Sequence, residues 1–161
     1  MEYIIRELRK EEYYLLNDFL YYAIFQPDKE NLAPKSIINK PELQAYIKNF
    51  GEEKDDFCLC AEVNKNVIGS VWVRNINGYG NVDGTTPEFA ISVYEDFRGH
   101  GIGTVMMKAM LSHLRKCGYK LASLAVQKKN YALRMYLNIG FKIACENEEE
   151  YIMVYDFLSE S

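Results

Sequence analysis

The chain holds little from which a metal centre or a disulfide frame could be built. It has four cysteines and two histidines in 161 residues. Cys58, Cys60, Cys117 and Cys145 show no paired C-x-x-C spacing, so a zinc site lacks ligands and free thiols in a reducing compartment are expected. Positive charge is also short, with 19 Lys and Arg against 23 Asp and Glu and a net charge of -4. A nucleic-acid binder needs the opposite balance to meet phosphates. Long apolar runs are missing, and residues 1–8 carry charges where a signal peptide would have its apolar core. Neither a membrane partner nor a leader is therefore expected, and the expected location is cytoplasmic. Repeats and low-complexity stretches are absent too.

What is present reads as one domain spanning residues 1–161, long enough to bury roughly 70% of the surface of its unfolded form. Residues 3–6 read as a short strand. Leu15, Leu16, Phe19, Leu20 and Ala23 recur at helical spacing within residues 11–24, and Pro27 ends that pattern. A second helix is predicted over residues 41–50, with Pro41 in its first turn and Gly51 as its stop. The runs 57–63 and 67–73 flank Asn64-Lys65-Asn66 and predict a β-hairpin, followed by a Gly- and Asn-rich loop at 75–86.

A strand at 88–94 leads through glycines into a helix over about 101–117, whose apolar stripe is read as Ile102, Val105, Met106, Ala109, Met110, Leu114 and Cys117. Gly118 ends it, and the apolar run 121–126 predicts an interior strand beside the one before the helix, a βαβ unit. Asn130 is suited to cap a helix reaching about 138, Gly140 to terminate it, and 141–145 and 151–157 to form two closing strands. The expected class is α/β, with helices packed on a central sheet.

The chemistry-bearing motif is the turn into the third helix. A helix N-terminus exposes unpaired N–H groups and about half a positive charge, so it attracts phosphate. Gly99, Gly101 and Gly103 let a phosphate approach, and Arg98 can add a charge-assisted contact. The dinucleotide pattern G-x-G-x-x-G fails because Thr104 and Met106 fall where its third glycine should be, and the Walker pattern lacks Gly-Lys-Ser/Thr.

Arg98-Gly99-His100-Gly101-Ile102-Gly103 is similar to the Arg/Gln-x-x-Gly-x-Gly/Ala loop of the GNAT superfamily of acetyl-CoA-dependent N-acetyltransferases. Upstream, Pro87-Glu88-Phe89-Ala90-Ile91-Ser92-Val93 continues the resemblance. Downstream, the segment from Asn130 through Ala132 and Tyr136 to Gly140-Phe141 looks like the family's Asn…Ala…Tyr…Gly-Phe stretch. The three motifs stand in family order at family spacing, and the match covers residues 88–141. The N-terminal third matches no subfamily, which leaves the acceptor open.

The resemblance implies a mixed, mostly antiparallel central sheet flanked by helices. It implies acetyl transfer from acetyl-CoA, as acyl donor, to a primary amine by direct attack in a ternary complex. By the same resemblance the strands ending at Val93 and Val126 splay apart, and pantetheine lies between them as a pseudo-strand on the free backbone edge. The implied cofactor-binding residues are Ile91, Ser92, Val93, Arg98, Gly99, His100, Gly101, Ile102, Gly103, Thr104 and Asn130. Tyr136 sits where the family's general-acid tyrosine sits. A base is also required, and Glu88 is the candidate, since it heads the central strand beside an apolar run that would raise its pKa. No metal is implied.

Plainer readings stand beside these. Thirteen tyrosines make packing the default for any one of them, Glu88 could pair with a surface lysine, and His100 is not specified by the pattern. Cys117 falls on the helix's apolar stripe and Cys58 and Cys60 on a strand, against a cysteine nucleophile. Two acidic loops, 52–56 and 146–150, favour a cationic amine, on a small molecule or a peptide, if they rim the acceptor cleft. Tyr13-Tyr14 and Tyr21-Tyr22 are suited to helix packing, to that cleft or to a homodimer interface. Two alternatives remain: an inactive acyl-CoA-binding sensor and a relative using a longer acyl donor.

Overall fold

Seven strands form one sheet in the order β1-β2-β3-β4-β5-β7-β6. The computed structural model describes residues 1–160. The strands are β1 (Ile4–Glu7), β2 (Phe57–Val63), β3 (Asn66–Arg74), β4 (Glu88–Val93), β5 (Leu121–Gln127), β6 (Lys142–Glu146) and β7 (Glu150–Asp156), and the helices are α1 (Leu16–Ala23), α2 (Pro41–Gln44), α3 (Ile102–Lys116) and α4 (Ala132–Ile139). Every neighbouring pair is antiparallel except β4 and β5. The sheet is therefore mixed and mostly antiparallel, as expected.

The hairpin turn between β2 and β3 holds Asn64 and Lys65 at φ 49° and 68°. Two consecutive left-handed residues match the right-handed twist of the flanking strands. β3 is buried along most of its length because it is covered on both faces. On one face α3 and α4 pack over Val71, Val73, Phe89, Val93, Leu124 and Val126. On the other, α1 and the α2 segment pack over Cys58, Cys60 and Trp72.

The alternation of strand side chains sorts β4 accordingly: Phe89, Ile91 and Val93 face α3, while Glu88, Ala90 and Ser92 face α1. Ser92 confirms the sorting, since its Oγ donates to the Phe19 carbonyl at 2.7 Å. α3 buries Ile102, Met106, Met107, Met110, Leu111 and Leu114, each contributing about 1.5–3 kcal/mol relative to exposure.

Three expectations are corrected. The stripe of α3 is rotated toward Met107 and Leu111, leaving Val105 at 41% exposure and Cys117 beyond the last turn in solvent. The first predicted helix begins as a tighter 3-10 segment at Lys10–Leu15 before α1. The predicted helix at 41–50 stops after Gln44, because β3 takes the carbonyls that further helix would need. Trp72 Nε1 donates to the Tyr46 carbonyl at 3.0 Å, and Arg74 Nη1 donates to those of Ala45 and Lys48 at 3.1 and 2.7 Å. Asn49, at φ 54°, then turns the chain away.

Candidate active site

β4 and β5 pair only at their start, where Glu88 is registered with Ser123 and the Ser123 N–H bonds the Pro87 carbonyl. Beyond that pair the strands diverge. The Tyr94 N–H donates to Ile68 of β3, so by alternation Ser92 and Ala90 also turn their amides to β3, while Ile91 and Val93 turn theirs into the gap. Of these gap-facing groups the Val93 carbonyl is taken by Arg98 Nε at 2.8 Å. The expected splay is therefore present, and it leaves a short polar edge suited to an extended amide-bearing ligand.

At the end of the gap Gly101 stands at φ 77° as the residue before α3, and Gly99 is also left-handed at φ 83°. A Cβ at either glycine would meet nothing within 4 Å, so the space beside the helix N-terminus is open. The amides of Gly101, Ile102, Gly103 and Thr104 belong to the first turn, which has no side-chain cap, and they are donors for an anion. Arg98 closes the loop onto Val93. His100 is exposed.

A cleft of about 400 Å³ runs through the gap and is lined by both strands, by Glu88, Asn130 and Tyr136, and by Glu42, Tyr46 and Tyr79. Asn130 Oδ1 accepts the Ala132 N–H at 2.9 Å, which caps the start of α4 and holds the Asn130 side chain at the cleft. One turn further on, Tyr136 is buried, its ring 6.1 Å from that of Phe141. Phe141 in turn meets Phe89 edge to face at 5.7 Å. The Gly140-Phe141 turn is thus the packing support that fixes the Tyr136 ring. Burial holds the Tyr136 phenol above its ordinary pKa, which keeps the hydroxyl protonated.

Glu88 lies on the other face and is 2% exposed. Burial pushes its pKa up to about 7, against the opposing pull of hydrogen bonds from Tyr46 and Gly80. Tyr46 Oη donates to Glu88 Oε2, and the Gly80 N–H donates to the same oxygen at 3.0 Å. Oε1 is buried with no hydrogen-bond partner. A carboxylate of pKa near 7 on a cleft-lining residue, with one oxygen that no protein group engages, is suited to general-base work.

The acidic loops divide. Glu149 and Glu150 line the cleft, but Asp56 is a buried partner of Arg74 at 2.9 Å and Asp55 accepts from the Tyr119 hydroxyl. Of the paired tyrosines, Tyr21 is buried, Tyr13 packs edge to face on Phe50 at 5.1 Å, and Tyr14 is 70% exposed. Sequence reasoning missed Tyr46, Glu42 and the loop residues Gly78, Tyr79 and Gly80. The loop's one signal was two glycines bracketing a tyrosine: a Cβ at Gly80 would lie 2.7 Å from the Leu124 backbone, and one at Gly78 2.7 Å from Glu88 Oε1. Among the described residues no group of side chains could hold a metal ion, and no helix is long and apolar enough to cross a membrane.

Comparison with known proteins agrees with this architecture. An uncharacterised N-acetyltransferase of Methanocaldococcus jannaschii is 28% identical over 148 residues, covering 87% of this chain and 61% of the relative, so the chain spans about three fifths of that relative's length. A GNAT-family acetyltransferase from Streptococcus pneumoniae superposes with a TM-score of 0.68 at 19% identity, over 96% of this chain and 99% of its own. A Salmonella typhimurium protein, yncA, solved with its cofactor acetyl-CoA, superposes with a TM-score of 0.69 at 15% identity, over 100% and 97%. The family described as acetyltransferase (GNAT) matches residues 4–141. The chain therefore belongs to the acetyltransferase (GNAT) family.

Proposed function

We propose that residues 1–161 act as one unit that transfers an acetyl group from acetyl-CoA to a primary amine by direct attack in a ternary complex. The observation that carries this reading is the splay beyond Glu88 and Ser123, which leaves an open backbone edge beside a cleft holding Glu88 and Tyr136, with the open N-terminus of α3 following β4 in the chain. The donor supplies an activated thioester carbonyl. The amides of Ile91 and Val93 hold its pantetheine arm, the first turn of α3 from Gly101 to Thr104 holds its pyrophosphate, and Asn130 flanks it. Glu88 Oε1 takes a proton from the incoming ammonium, directly or through water, so that the amine nitrogen can attack. The nitrogen bonds the carbonyl carbon, the C–S bond breaks, Tyr136 supplies the proton to the departing sulfur, and the second proton that the nitrogen sheds in becoming an amide restores the Tyr136 hydroxyl through water. A buried phenol is a weak acid, but a thiolate released into the same dry cleft is correspondingly basic.

The acceptor in this reading is cationic. Glu42, Glu88, Glu149 and Glu150 line the cleft against one lining cation, Lys40. Burial first, and then the charges of Glu42 and Glu150, hold the Tyr79 phenol above its ordinary value. A panel of amines with CoA release as the readout tests the proposal. Primary amines bearing a second positive charge should turn over with a lower KM than neutral or acidic analogues. Absence of CoA release with any amine would overturn catalysis in favour of a binding role.

A further inference from the structure

The hydrogen bonds around Glu88 make its two carboxyl oxygens unequal. Tyr46 Oη accepts the Tyr79 N–H at 3.0 Å, which leaves its single proton for Glu88 Oε2. The Gly80 N–H is aimed at the same atom, while Oε1 has no partner. Nor is Tyr46 free to move, since its carbonyl accepts from Trp72 and the carbonyls on either side of it, of Ala45 and Lys48, accept from Arg74. Its ring stacks on that of Tyr79 with centroids 6.4 Å apart.

We propose that Tyr46 is a positioning residue that, with the Gly80 amide, anchors Glu88 through Oε2 so that the proton drawn from the acceptor amine is carried on Oε1. The inference rests on the reading of Glu88 as the base. With both donors on Oε2, the lone pairs of Oε1 are the ones available to a proton. Around this pair, Glu150 is the charged neighbour that opposes ionisation of Glu88. Glu42, Glu149 and Lys40 line the same cleft, and Arg74, opposite Glu88 on β3, is engaged with Asp56.

The test compares kcat/KM from pH 5.5 to 9.5 in the parent, Glu88→Gln, Tyr46→Phe and the double variant, together with a carbon-13 NMR titration of Glu88. Donation to an ionised carboxylate favours the charged form, so Tyr46→Phe should raise the Glu88 pKa and move the acid limb of activity upward by about one pH unit. The position of the acid limb is the readout, and adding Tyr46→Phe to Glu88→Gln should change nothing further. Placing 3-fluorotyrosine at position 46 keeps the packing and strengthens the donor, and it should move the limb to lower pH. A limb that stays fixed in both Tyr46 variants while Glu88→Gln abolishes it overturns the anchoring alone. A parental profile in Glu88→Gln overturns the base assignment and the inference with it.

Discussion

Tyr136 and Glu88 stand on opposite faces of the sheet and share a cleft only because β4 and β5 part. Phe141 sets the ring of the first, whereas Tyr46 and Gly80 set the carboxyl of the second. Removing only the hydroxyl in Tyr136→Phe keeps the ring and its contact with Phe141. Turnover should then fall by about 10²- to 10⁴-fold with CoA affinity unchanged, the usual worth of a positioned acid. Calorimetry beside steady-state rates separates the outcomes, and equal losses of binding and turnover would make Tyr136 a cofactor contact. The resemblance to the family's Asn…Ala…Tyr…Gly-Phe stretch pointed to Tyr136 and Asn130. Tyr46 gave no such sign, because its distance of 42 positions from Glu88 is bridged by folding and not by any local pattern.

Helix α3 divides its roles in the proposed reading, with ligand binding assigned to its first turn and stability held in its flank. Six buried side chains hold the helix to the sheet, so the open N-terminus can serve a ligand without being needed for packing. Gly101→Glu puts a side chain and a negative charge into that opening, where no protein atom lies within 4 Å of a new Cβ. The left-handed φ makes the substitution cost about 1–2 kcal/mol, which a folded protein of this size tolerates. CoA affinity should be lost while circular dichroism is preserved, and retained affinity in the folded variant would remove the loop from the binding site. The period of the apolar residues placed this helix within one residue at each end and identified Ile102, Met106, Met110 and Leu114 as buried, yet set the edge of the stripe at Val105 and Cys117 where Met107 and Leu111 are buried. The direction of packing is chosen by the sheet that lies beneath.

For the molecule as a whole, burying the Glu88 carboxyl lowers stability once it ionises. Glu88 rises from an ordinary 4.5 to about 7, so the folded state binds its proton more tightly than the unfolded chain does. The sign follows: this contribution is fully present below about pH 4.5 and is lost as pH rises through 7, by about 3 kcal/mol at most. Glu88→Gln should therefore gain melting temperature relative to the parent as pH goes from 5 to 8. Melting curves that shift in parallel over that range would show that Glu88 ionises without penalty.

Local chemistry settles most of the architecture. The alternating strands, the Asn-Lys hairpin turn, the glycine turn into α3 and the order of elements all follow from residues within a few positions of one another, where backbone sterics and side-chain period act directly. The parting of β4 from β5, the burial that tunes Glu88 and the closure of the 75–86 loop on it depend on groups far apart in sequence. Only the tertiary structure decides these, because desolvation and unmet hydrogen bonds are properties of the surroundings a side chain acquires and not of the side chain itself.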